Sequence, residues 1–106
     1  MEHKLRMDSN HKTLSVHKGD LIEIDLDETP TAGFNWEIES IDESNCELVS
    51  SEYHVYAGAG IGGGGIRSMI FRIKNPGNCT IKLKNWQRWS GDIYQQFEVK
   101  VVATTD

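Results

Sequence analysis

A chain of 106 residues, 38% hydrophobic and 25% charged, has material for one domain around one core. Its formal net charge of −5 argues against a nucleic-acid partner, and no apolar run approaches the roughly 18 residues a membrane helix needs. No apolar stretch follows Met1-Glu2-His3-Lys4, so no signal peptide is visible, and the chain reads as cytoplasmic or as the mature form of an exported protein.

The first eleven residues are polar and are expected to be loosely ordered. Leu14 and Val16 then give a short strand, and Lys18-Gly19-Asp20 suits a tight turn. Ile22, Ile24 and Leu26 alternate with Glu23, Asp25 and Asp27, the pattern of a strand with one buried and one wet face. Phe34, Trp36 and Ile38 repeat it, which places Trp36 in the core. Val49 to Tyr56 is less regular but rich in strand formers. Met69, Phe71 and Ile73 follow, then the turn Asn75-Pro76-Gly77-Asn78. Cys79, Ile81 and Leu83 form the next inward row, and Phe97, Val99 and Val101 the last. No segment carries a helical stripe. The predicted class is all-β: one domain over 1–106, an immunoglobulin-like two-sheet sandwich of about seven strands.

Three loop segments separate these runs: Thr29-Pro30-Thr31-Ala32-Gly33-Phe34, Gly58 to Gly65, and Gln87-Arg88-Trp89-Ser90-Gly91-Asp92. They are alternate connections. If consecutive strands run antiparallel, all three emerge at one end. That end would carry an apolar turn, a glycine arm and a tryptophan that is either folded back or presented to a partner. Tryptophan is a favoured interface anchor.

Catalytic signals are weak. Gly58-Ala59-Gly60-Ile61-Gly62-Gly63 matches a GxGxxG pattern, but a strand follows it, where a dinucleotide site needs a helix. His3, His11, His17 and His54 lack metal spacing. Glu23 with Asp25, and Glu37 with Glu39, read as exposed sheet faces, not as catalytic pairs. No Lys or Arg stands between Lys18 and Arg67, and this acidic stretch reads as a solvated face more readily than as a steering surface. Cys79 reads as a small core residue and Cys46 as part of a polar connection. Free thiols are the simpler reading, with a disulfide possible. Asn78-Cys79-Thr80 fits a glycosylation sequon, read as coincidence.

Together the three loops resemble the chagasin-like inhibitors of papain-family cysteine peptidases. That family's pattern is an NPTTGxxW turn, a GxGG stretch before a strand, and an RPW segment before the last strand. Here the first is Thr29-Pro30-Thr31-Ala32-Gly33-Phe34-Asn35-Trp36, the second Gly62-Gly63-Gly64-Gly65, and the third Gln87-Arg88-Trp89. Thr29 and Ala32 depart from the pattern, and the arginine is displaced by one place. The resemblance implies a reversible protein inhibitor with no catalytic residues and no cofactor, monomeric, with a cathepsin-like peptidase as partner. It implies a three-pronged wedge: Thr31, Ala32 and Gly33 in the cleft with Thr29, Pro30 and Phe34 around them, Gly62, Gly63, Gly64 and Gly65 along one wall, and Arg88 and Trp89 along the other. The competing reading is an immunoglobulin-like adhesion or carbohydrate module with no peptidase target.

Overall fold

The structure is a computed structural model that describes residues 1–58 and 64–105. The described residues form eight strands in chain order: β1 Glu2–Leu5, β2 Thr13–His17, β3 Leu21–Glu28, β4 Asn35–Ser40, β5 Cys46–Val55, β6 Gly65–Ile73, β7 Gly77–Trp86 and β8 Ile93–Thr104. Short 3-10 turns occupy Met7–Ser9 and Pro30–Ala32. Among the described residues no helix is long and apolar enough to cross a membrane.

The strands make two four-stranded sheets, ordered β1-β3-β6-β5 and β2-β8-β7-β4. Ile22, Ile24 and Leu26 of β3 face the core beside Met69, Phe71 and Ile73 of β6. Ile81 and Leu83 of β7, with Phe97, Val99 and Val101 of β8, meet them from the second sheet. The period-two pattern thus predicts both inner faces, and Trp36 is buried between them. This is the immunoglobulin-like sandwich, with eight strands rather than about seven.

The additional strand is β1. It lies in the first eleven residues, expected to be loosely ordered, and pairs parallel to β3 from Glu2↔Leu21 to Leu5↔Ile24. Leu5 enters the core, and Asp20 receives the terminal amine and His3. Four residues with one apolar anchor carry too little periodicity to announce a strand. Cys46 is a second correction. It opens β5 and is fully buried, whereas the polar residues before it place it in a connection.

The register fixes the loop ends. Glu28 at the end of β3 pairs with Gly65 at the start of β6, and Asn35 at the start of β4 pairs with Trp86 at the end of β7. The β3–β4, β5–β6 and β7–β8 connections therefore leave from the same pole.

Candidate functional site

The first loop is built from its stem upward. Pro30 opens the 3-10 turn, where its fixed φ suits the first position. The Gly33 N–H donates to Pro30 O at 2.8 Å, and Gly33 closes the turn at φ +83°, a conformation that favours glycine. Below, Trp36 ties both ends together. Its backbone N–H donates to Glu28 Oε1 at 2.7 Å and its indole Nε1 to Asp27 O at 2.8 Å. Glu28 is buried, and Arg67 from β6 neutralises it with Nη2 at 2.9 Å from Oε2 and Nε at 3.2 Å from Oε1. From Thr29 to Trp36 no side chain is ionisable.

The second loop meets the first at its base. The Tyr56 N–H donates to Gly64 O, and the Tyr56 hydroxyl bonds Asp27 on β3. Gly64 lies so near Thr29 that an added Cβ would stand 3.2 Å from its Oγ1. Gly65 belongs to β6, under Tyr53 and the His54 carbonyl, where a Cβ has no room. Its role is thus close packing inside the sheet. Gly62 and Gly63 lie outside the described residues.

The third loop is closed internally. The Gln87 N–H donates to Asp92 O and the Gly91 N–H to Gln87 O. It reaches the first loop twice: Gln87 Nε2 donates to Ala32 O at 2.9 Å, and the six-membered ring of Trp89 lies over Gly33. Even so, Trp89 is 75% exposed. It is thus neither folded back over the sandwich nor fully free. Arg88 turns away from the tip and grips Glu37 on β4 through Nε at 2.7 Å and Nη2 at 2.9 Å. The Arg88 guanidinium, followed by the Trp86 indole N–H, holds the Glu37 carboxyl below its ordinary range.

Two aromatic residues at this pole escape the sequence patterns. Tyr94, two places past the third loop, packs against Phe34 with ring centroids 5.7 Å apart and is mostly exposed. Both rings border a cleft of about 440 Å³ reaching down to Asn85. Tyr56 reads in sequence as one more strand residue, and only pairing across the sheet brings it to Asp27. Among the described residues no group of His, Cys, Asp or Glu could hold a metal ion.

The model of the chagasin family of I42 peptidase inhibitors matches residues 15–101. The chain belongs to the chagasin family. Chagasin of Trypanosoma cruzi is 33% identical to it over 95 residues, covering 86% of each chain. The crystal structure of the cysteine protease inhibitor EhICP2 from Entamoeba histolytica superposes with a TM-score of 0.88 at 25% identity, covering 97% of this chain and 96% of that one. The structure of PbICP-C in complex with falcipain-2 shares the fold at 16% identity and a TM-score of 0.63, over 98% and 99% of the two chains. Chagasin-family proteins are inhibitors, so this chain is an inhibitor and not an enzyme.

Proposed function

We propose that this chain inhibits papain-family cysteine peptidases by occlusion, with the Thr29–Phe34 turn in the active-site cleft, the glycine arm along one wall and Trp89 along the other. The observation that carries this reading is that the second and third loops both meet the first. Gly64 abuts Thr29, Gln87 holds Ala32, and Trp89 covers Gly33. Membership of the inhibitor family gives the class of target, and the shared tip supports occlusion as the means.

A peptidase cleaves extended backbone laid across its thiol. The Pro30–Ala32 segment is coiled into a 3-10 turn and closed by Gly33, so it plugs a cleft without offering a strand to attack. Trp36 and Glu28 fix that turn before any encounter, which limits the ordering lost on docking. Nanomolar binding corresponds to about 12 kcal/mol, within reach of a standard interface of roughly 1,600 Å². Covering about 150 Å² of exposed indole is worth up to about 4 kcal/mol before ordering costs. Arg88, already held by Glu37, braces the third loop from behind.

Titration of papain with the purified chain tests the reading. The expected result is reversible, stoichiometric loss of activity with the inhibitor left uncut. A Thr31→Arg variant that keeps the wild-type circular dichroism spectrum should not inhibit. Inhibition retained by that folded variant would remove the turn from the cleft.

A further inference from the structure

At the pole opposite the three loops, Cys46 Sγ and Cys79 Sγ stand 3.3 Å apart, both free and both buried. Cys46 belongs to β5 of one sheet and Cys79 to β7 of the other, so the two thiols face each other across the core. The backbone around them is already pinned. The Asn45 carbonyl accepts the N–H groups of Lys74 and Asn75, Lys74 Nζ donates to Glu43 O, and Asn75 Nδ2 donates to Ser44 O. The segment leading into Cys46 and the turn leading into Cys79 are thereby locked together.

We infer that Cys46 and Cys79 are a redox-responsive pair that closes to a disulfide joining the two sheets. Reaching the bonded separation of about 2.05 Å needs a further approach of only about 1.2 Å, within the play of two side chains. The oxidant is a low-molecular-weight disulfide such as oxidised glutathione. Cys79 is the attacking residue, because it keeps 8% of its surface exposed, beside a groove lined by Thr13, Asp42, Asn78 and Lys100, whereas Cys46 lies behind a groove of its own and exposes none. The hydrogen bond between the two thiols also draws the Cys79 thiol below its ordinary range, while that neighbour and burial push Cys46 up. The Cys79 thiolate attacks the small disulfide, forming a mixed disulfide and expelling one thiolate. Cys46 then gives up its proton and attacks Cys79 Sγ, expelling the second. The protein loses two electrons and two protons, and the small disulfide becomes two thiols.

The bond stabilises the sandwich by restricting the unfolded chain between residues 46 and 79. It lies far from the tips, so it makes stability depend on redox compartment and leaves the inhibitory edge untouched. The inference does not rest on the identity of the target.

The test is refolding of the full chain from denaturant in oxidised glutathione, so that burial does not limit access. Intact mass and thiol alkylation in denaturant follow. The expected product has lost about 2 Da, has no alkylatable thiol, and melts about 10 °C higher than the same protein reduced with dithiothreitol. Cys79→Ala should show neither change. Because the wild-type chain serves as its own reduced control, an unfolded variant does not spoil the comparison. A folded protein that keeps both thiols, that carries only glutathione adducts, or whose closed bond lowers the melting temperature would overturn the inference.

Discussion

The indole of Trp89 rests on Gly33 so closely that this glycine has no space for a β-carbon. A side chain there is excluded twice, once by the ring and once by the positive φ of the turn. The first and third loops are therefore one assembled surface.

Gly33→Ala is accordingly expected to displace Trp89 and strain the turn together. Left-handed backbone costs a non-glycine residue roughly 1–2 kcal/mol, and the lost alignment of two prongs should raise the inhibition constant for papain by at least about tenfold. Steady-state inhibition assays with melting curves would show it. An inhibition constant within about twofold of wild type would mean the contact is incidental.

Trp89→Ala separates binding from folding. The side chain is largely exposed, so stability, followed by thermal unfolding, should change by less than about 0.5 kcal/mol. Affinity should fall by about 2 kcal/mol or more, the hot-spot range. Isothermal titration calorimetry against papain measures it, and unchanged affinity would deny Trp89 its place on the wall.

Arg67→Met tests the stem. It leaves the Glu28 carboxylate buried without its counter-ion, and breaking such a pair typically costs about 3–5 kcal/mol. Urea unfolding should report a loss near the lower end, since Glu28 still accepts the Trp36 N–H. A loss under about 1 kcal/mol would show that the pair does not secure the turn.

Acid should weaken the N-terminal corner. His3, then the His17 N–H and the terminal amine, hold the Asp20 carboxyl well below its ordinary value of 3.8. A carboxylate whose pKa falls on folding contributes stability above its unfolded value and loses it as pH drops toward the folded one. Wild-type melting temperature should thus decline as pH falls below about 4, and Asp20→Asn should flatten that decline. Parallel acid limbs for the two proteins would contradict the assignment.

Most of the fold is legible because alternation is local. Ile22, Ile24 and Leu26 identify β3 without reference to anything else. What escapes depends on partners distant in sequence. The segment carrying β1 acquires meaning only beside Leu21–Ile24, and Cys46 turns inward because Lys74 and Asn75 hold the preceding backbone. At the tip, proline and glycine announce the turn, and alternate connections announce convergence. The Arg88–Glu37 grip has no such signal, because the arginine sits one place from the family position and its acceptor lies 51 residues earlier. Tyr94 is hidden in the same way, its exposure set by where β8 begins.

The tip from Thr29 to Trp36 has no proton to gain or lose across the biological pH range. In the proposed complex, any acidity dependence must come from the enzyme or from residues beyond this turn. Docked as proposed, the same turn would suit a peptidase working in an acid vesicle and one working near neutrality, with no retuning of its own.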